Sequence, residues 1–271
     1  MIKTILAIVE GPVQGGSFID AVLAFAEYRQ AHAIFDVLTA APMLSPDLAP
    51  FGTLHTLSGE LRQLVRDHAS SLRALLPPES AAEIVSQCDD VGWIPGDLRD
   101  SAPLADLVIV GPHETWAIDW LRRRTIETVL MASGTPLLLL PPGRSVRMVG
   151  HAVLGWKPGP TAMRALQQLV RLATPGARID VVAVKHELGD QPETVLEPVL
   201  ALLRRHGFGV EGHALDRNGK PQDVLTSFAL DRGADLLVVG GFAHSRVREI
   251  VLGGVTRSLI DDPRLPVLMA H

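Results

Sequence analysis

The sequence has a single cysteine, Cys88, and few aromatic side chains, which make up 4% of its 271 residues. One thiol excludes an internal disulfide framework and a thiolate zinc cluster, and it is typical of a reducing compartment. With so few aromatic rings, the core must be built from Ala, Val, Leu and Ile, as in buried parallel sheets. Together these scarcities favour a cytoplasmic α/β protein.

Long apolar runs and an excess of positive charge are also missing. The apolar segments Ile2–Val9 and Leu137–Leu140 are short and are followed closely by Gly or Pro, so neither predicts a signal peptide or a membrane span. The formal net charge of −5 gives no general attraction to nucleic acid or to an anionic membrane. We therefore expect neither nucleic acid nor membrane as a partner.

The motifs of common catalytic and metal sites do not occur. There is no G-x-x-x-x-G-K-[ST] phosphate loop, no G-x-S-x-G nucleophile elbow and no H-E-x-x-H. The ten histidines show no ligand spacing, and Cys88 has no cysteine partner. The sequence therefore predicts no metal site and no catalytic residue, and a non-enzymatic role is favoured.

The sequence does contain an internal repeat, in which one pattern of apolar segments occurs twice. Residues 105–111, Ala-Asp-Leu-Val-Ile-Val-Gly, recur at 234–240 as Ala-Asp-Leu-Leu-Val-Val-Gly. Each half opens on an apolar strand and closes on a Pro-led apolar strand, and a Pro-Pro-Gly linker separates them. We therefore predict two domains, at residues 1–143 and 147–271.

Within each half, apolar strands alternate with amphipathic helices. This alternation predicts two tandem doubly wound α/β domains, each with a five-stranded parallel sheet flanked by helices. Ligands of such sheets bind beyond the carboxyl ends of the strands, which places Gly155–Pro160 and Gly240–Arg246 on one rim. The last strands, Leu137–Leu140 and Pro266–Met269, are apolar edges that should pair and make an intramolecular pseudo-dimer. A homodimer of the whole chain stays open.

Two helices carry more detailed expectations. A helix is predicted over Ser17–Ala31, with Ser17 as its N-cap and a capping box closed by Asp20. Another is predicted over Thr115–Ala132, with two tryptophans on an inner face and Arg122–Arg124 on a charged outer face.

The loops and strands of the second half resemble those of the universal stress protein family. The matching segments are Val153–Pro160, Gly233–Gly241, Ser245–Arg257 and Leu265–Met269, which together span most of Val149–His271. The whole chain resembles a tandem, two-domain member. The resemblance implies an adenine nucleotide alpha hydrolase-like fold and a role in the stress response.

Nucleotide-binding members of that family carry glycine, two residues, glycine, nine residues, then glycine with serine or threonine, and an aspartate after the first strand. In this chain the spacing falls on Gly240, Ala243, Gly253 and Gly254, and Lys157 stands at the aspartate position. The resemblance implies ATP or another adenine nucleotide as cofactor, with Mg²⁺ only alongside the nucleotide. The implied binding residues are Gly155, Trp156, Lys157, Gly240, Gly241, Ala243, His244, Arg246, Gly253, Gly254, Val255 and Thr256.

The corresponding loop of the first half reads Gly111-Pro112-His113-Glu114. Pro112 removes a backbone donor and Glu114 repels a phosphate, so no nucleotide site is predicted there.

Three functions remain open from the sequence. The first is a regulatory protein in which nucleotide occupancy changes the contact with an unknown protein partner. The second is a ligand-free structural or interaction module. The third, and the weakest, is a slow nucleotide hydrolase.

Overall fold

The computed structural model describes residues 1–13, 16–41, 53–90, 98, 100–184, 192–216, 219–241 and 254–271. Each half of the chain contributes five strands: β1 (Thr4–Glu10), β2 (His32–Ala41), β3 (Glu83–Asp90), β4 (Leu107–Val110), β5 (Leu137–Leu139), β6 (His151–Gly155), β7 (Arg178–Val184), β8 (Gly209–Leu215), β9 (Leu236–Gly240) and β10 (Val267–Ala270).

All ten strands belong to one sheet, in the order β3-β2-β1-β4-β5-β10-β9-β6-β7-β8. The two halves therefore have the same internal order, and every pair within a half is parallel. The α/β fold class, with a doubly wound parallel arrangement in each half, agrees with the prediction.

The two halves meet at the centre of the sheet. Strands β5 and β10 pair antiparallel, with Leu138 opposite Leu268 and both side chains buried. These are the two apolar edges that the sequence predicted would pair. Because each edge satisfies the backbone groups of the other, neither remains open to association.

Among the described residues, seven α-helices cover the two faces of the sheet. They are α1 (Ser17–Arg29), α2 (Thr53–Leu75), α3 (Asp119–Thr128), α4 (Pro160–Leu172), α5 (Pro192–Arg205), α6 (Pro221–Asp231) and α7 (Gly254–Asp261). Buried side chains of α1, α2, α4 and α5 share one apolar cluster, and those of α3, α6 and α7 share another on the opposite face. Strands covered on both faces explain the near-continuous apolar runs in the sequence.

Helix α1 does not begin as predicted. Its N-cap is Gly16, no side chain caps it, and Ser17 is the first helical residue. The backbone carbonyl of Gly16 accepts the N–H of Asp20, so the predicted capping box of Ser17 and Asp20 is wrong.

Helix α3 starts later than predicted and exposes different residues. A 3₁₀ turn at His113–Thr115 precedes it, and the extended Trp116 lies outside the helix. Trp116 is buried whereas Trp120 is exposed, and Arg122 is fully buried, so the predicted inner tryptophan face and charged outer face are both wrong.

The prolines within residues 41–51 predict an exposed loop, and residues 96–105 are predicted to form a short helix. Most of the first segment and part of the second lie outside the described residues, and a 3₁₀ turn is observed at Ala102–Leu104. Within the part of the chain that the structure describes, no helix combines the length and apolar character that crossing a membrane requires.

Candidate functional site

The carboxyl ends of the strands form two equivalent rims, one in each half. Strand pairing sets the equivalence, because Ile5 lies opposite Leu107 in the first half and Ala152 lies opposite Leu236 in the second. Counting along both strands from these pairs, Glu10 corresponds to Lys157. In the same way, the glycine after β4, Gly111, corresponds to Gly240. The two rims therefore carry opposite charges at the end of their first strands.

In the first half, the carboxylate of Glu10 is hydrogen-bonded to the backbone of the same chain. Its carboxylate is buried and accepts the backbone N–H groups of Ala117 and Ile118, at 2.7 and 2.9 Å. These bonds hold the loop after β4 across the end of β1. They fix Ala117 and Ile118 outside the helix, and α3 starts at Asp119.

Aromatic side chains pack directly against the two glycines of the first rim. A Cβ atom added to Gly11 would lie 2.3 Å from the ring of His68, and one added to Gly111 would lie 3.1 Å from the ring of Phe18. His68 is buried and hydrogen-bonds through Nδ1 to the hydroxyl of Thr39, at 2.9 Å. The described residues of this rim thus pack against one another and leave no room at its glycines.

Arg122 completes this packing from α3. Its guanidinium donates to the carbonyl of Gly111 at 3.0 Å and to the carbonyl of Ile260 at 2.8 Å, and it lies 3.2 Å from Nε2 of His113. Burial lowers the pKa of Arg122 to about 10, with the negative charge of Asp261 acting in the opposite direction. The side chain stays cationic at neutral pH and links the two halves.

Sequence reasoning placed Arg122 on the surface, although a signal was available. Leu121, Thr125 and Ile126 are all buried, and a residue at position 122 lies within the arc of α3 that they define. The run of three arginines concealed this, because such runs are usually solvated.

In the second half, the rim begins with Gly155 at the end of β6. A Cβ atom there would lie 3.0 Å from Leu225 and 3.2 Å from Val239, so the strand end packs closely. Trp156 is buried, and its indole N–H donates to the carbonyl of Val195 in α5 at 3.3 Å. Trp156 therefore acts as a core side chain. Lys157 is the first partly exposed residue beyond it.

Gly240 lies directly against the start of α4. A Cβ atom added to it would lie 2.7 Å from the backbone nitrogen of Ala162 and 2.8 Å from the hydroxyl oxygen of Thr161. Only glycine permits this approach of β9 to the first turn of the helix. The next residue, Gly241, donates its N–H to the carbonyl of Ala270 at 2.8 Å.

The structure brings some of the sequence-predicted site residues together. Gly155, Lys157, Gly240 and Gly241 lie at the ends of the neighbouring strands β6 and β9. Gly254, Val255 and Thr256 form the first turn of α7, of which only the backbone is described. Ala243, His244, Arg246 and Gly253 lie outside the described residues.

Comparison with known proteins assigns the second half of the chain to a family. The sequence model of the universal stress protein family matches residues 148–271, a segment that contains β6–β10 and every predicted site residue. This half of the chain belongs to the universal stress protein family.

Individual relatives support this assignment. A universal stress protein of Methanocaldococcus jannaschii is 28% identical over 86 residues, which are 32% of the present chain and 52% of that protein. A universal stress protein of Synechocystis is 31% identical over 67 residues, which are 25% of the chain and 23% of that protein. The aligned part thus spans about half and about a quarter of these two relatives.

Solved structures extend the likeness to the whole fold. A universal stress protein from Archaeoglobus fulgidus superposes with a TM-score of 0.66 over 98% of this chain and 95% of its own, at 14% sequence identity. At that identity the likeness concerns architecture alone. It covers both halves, including the first, which the family sequence model does not match.

The chemistry available at the universal stress protein rim comes chiefly from its backbone. The helices α4 and α7 both start there, and the N–H groups of a first helical turn have no partner within the helix. Their dipoles add partial positive charge at the same edge. Such an arrangement favours the binding of an anion. Lys157 carries a positive charge, the same sign as the helix N-termini.

Proposed function

We propose that this protein is a cytoplasmic stress-response regulator that binds ATP or a related adenine nucleotide at the rim of its universal stress protein domain. The observation that carries the proposal is the contact of Gly240 with Thr161 and Ala162. This contact places the end of β9, where glycine has no side chain, beside the start of a helix. In such an arrangement backbone N–H groups hold a phosphate.

The position of α7 adds support. Its first turn begins at Gly254, which the family resemblance aligns with the end of the phosphate-binding loop. The triphosphate would then meet the starts of α4 and α7, with Lys157 as a neighbouring point charge. A nucleotide bound this way would rest on backbone donors and would need few side chains.

The first half takes a different part in the proposal. At its own rim the glycines pack against His68 and Phe18 and the Glu10 carboxylate bonds to the backbone, so we assign nucleotide binding to the second half only. The first half would present the changed surface to a protein partner. Nucleotide binding at one rim only suits a regulator better than an enzyme.

The proposal is tested by nucleotide content and by calorimetry. Freshly purified protein is denatured and its supernatant analysed for adenine nucleotide, and ATP is titrated into nucleotide-free protein. Gly254→Asp should abolish ATP binding because it adds a negative charge at the phosphate position, while an acidic residue remains favourable for a helix start. Gly209→Asp adds the same charge at the start of β8, where there is open space, and should leave binding unchanged.

Other outcomes point to the other two functions. Protein that carries no nucleotide and gives no binding heat at millimolar ATP would be the ligand-free interaction module. The replacement of the family's aspartate by Lys157 favours that alternative. Phosphate release above background that is lost in Lys157→Ala would instead indicate a hydrolase.

A further inference from the structure

A cluster of histidines and carboxylates lies on three neighbouring strands of the second half, away from the nucleotide rim. Asp180 of β7 is paired in register with Glu211 of β8, and His213 follows two residues later on the same face. His151 is the first residue of β6, at the end of the sheet opposite to the rim. The cluster is thus independent of the proposed nucleotide site.

Asp180 is the centre of this cluster. Its side chain is fully buried. One carboxylate oxygen lies 2.9 Å from Nε2 of His151, and the other lies 3.1 Å from Nε2 of His213. Burial alone would raise the pKa of Asp180, but the two histidine hydrogen bonds and the charge of Arg178 hold it below its usual value. The buried group is therefore a carboxylate, whose transfer from water is costly unless it is paired.

We propose that Asp180, Glu211 and His213 form a binding site for a divalent transition metal such as Zn²⁺. Their ligand atoms all lie within 4.8 Å of one another. Nε2 of His213 is 3.1 Å from a carboxylate oxygen of Asp180 and 3.7 Å from one of Glu211. A tetrahedral ion with bonds of about 2.0–2.1 Å separates its ligands by about 3.3 Å, so small side-chain movements complete the site.

His151 has a supporting role in this site. It contacts the Asp180 oxygen that does not face His213. A hydrogen bond of this kind fixes the orientation of a ligating carboxylate, and such bonds commonly affect metal affinity. Glu211 is exposed and opens the site to solvent, which provides a path of entry.

Two arginine side chains supply the positive charge in this cluster, where a metal cation would otherwise do so. The guanidinium of Arg178 lies 3.1 Å from Glu211 and 3.5 Å from Asp180, and that of Arg232 lies 3.7 Å from Glu211 and 3.5 Å from Nε2 of His213. Both side chains are about one-third exposed or more and can turn into water. Metal binding therefore requires that Arg178 leave the carboxylates, and its removal should strengthen binding.

The sequence predicted no metal site because it offered no ligand spacing. The ligands lie 31 residues apart on separate strands, from Asp180 to Glu211, and only the register of β7 and β8 brings them together. Motifs such as H-E-x-x-H report ligands on one helix and miss sites built across a sheet.

The test is titration of untagged, chelator-treated full-length protein with Zn²⁺ by calorimetry and with Co²⁺ by visible absorption. We expect one equivalent of metal to bind, with the intense Co²⁺ bands of a tetrahedral site. His213→Gln should weaken binding at least about tenfold, as should Asp180→Asn, and Arg178→Met should strengthen it several-fold. His32→Gln alters an exposed histidine–carboxylate pair, with Glu83 at 3.5 Å, and should leave binding unchanged.

Circular dichroism checks that each variant is folded, because the substitution Asp180→Asn at a buried position could unfold the protein. In that case the variants His213→Gln and Arg178→Met, which alter side chains that are not fully buried, decide. Absence of stoichiometric binding in the wild type would overturn the proposal. So would unchanged affinity in folded His213→Gln, or weaker binding in Arg178→Met.

Discussion

The guanidinium of Arg122 donates a 2.8 Å hydrogen bond to the carbonyl oxygen of Ile260, 138 residues further along the chain. Ile260 lies in the last turn of α7, where carbonyl groups lack helical partners and the dipole favours a cation. Arg29 likewise donates to the carbonyl of Leu172, the last residue of α4. Two arginines of the first half thus cap the far ends of the two helices that begin at the candidate nucleotide rim.

Replacing Arg122 by Met should destabilise the protein by about 3 kcal/mol, because two buried carbonyl groups lose their donor. The measurement is urea unfolding followed by circular dichroism. Arg124→Gln, on the same helix, removes a more exposed pair with Glu127 and should change stability by less than about 1 kcal/mol. Equal losses in both variants would contradict a specific role for Arg122.

Gly240→Ala should destabilise the protein by about 1–3 kcal/mol, because its methyl group would meet the backbone of α4 at 2.7 Å. A strand end that cannot approach the helix should also weaken ATP binding. Thermal unfolding and calorimetry measure the two effects. Gly209→Ala has open space around its Cβ and should be within about 0.5 kcal/mol of the wild type.

Lys157→Asp should raise the affinity for adenosine about tenfold, or about 1.4 kcal/mol, because it restores the acidic residue of nucleotide-binding relatives. Adenosine is the informative ligand, since it lacks the phosphates that a lysine attracts. Calorimetry of adenosine and ATP side by side measures the change. An unaltered adenosine affinity would show that residue 157 does not face the nucleoside.

The stability of the protein should fall as the pH drops below about 6.5, partly through His68. Burial lowers the pKa of His68 from 6.5, and the charges of Asp67 and Glu10 oppose this only in part. The unfolded chain then binds more protons than the folded one, so stability present above pH 6.5 is lost as the pH falls through the folded pKa. His68→Asn should flatten unfolding free energies between about pH 7 and 5.

The exposed His32 provides the comparison for that measurement. It lies beside Glu83 at the surface, and His32→Asn is measured in parallel as the surface substitution. If His68→Asn retained the full slope, other histidines would be responsible for it.

Much of the fold could be predicted from local patterns. The doubly wound parallel arrangement within each half agrees with the prediction, and the pairing of the last strands followed from their apolar, otherwise open edges. These predictions succeed because burial on both faces of a strand, and Gly or Pro at its end, are written in consecutive residues. The start of α3 was missed, since the carboxylate that holds Ala117 and Ile118 belongs to Glu10, far away in sequence.

The sequence by itself determined the class of the fold and the family of the second half. It also located Gly240 and Lys157 at the candidate rim. Only the tertiary structure decided that Glu10 and Arg122 bond to backbone groups at the first rim and that Asp180 pairs with two histidines. The reason is physical: a buried charge is stable only with partners, and strand register and helix packing choose those partners from distant parts of the chain.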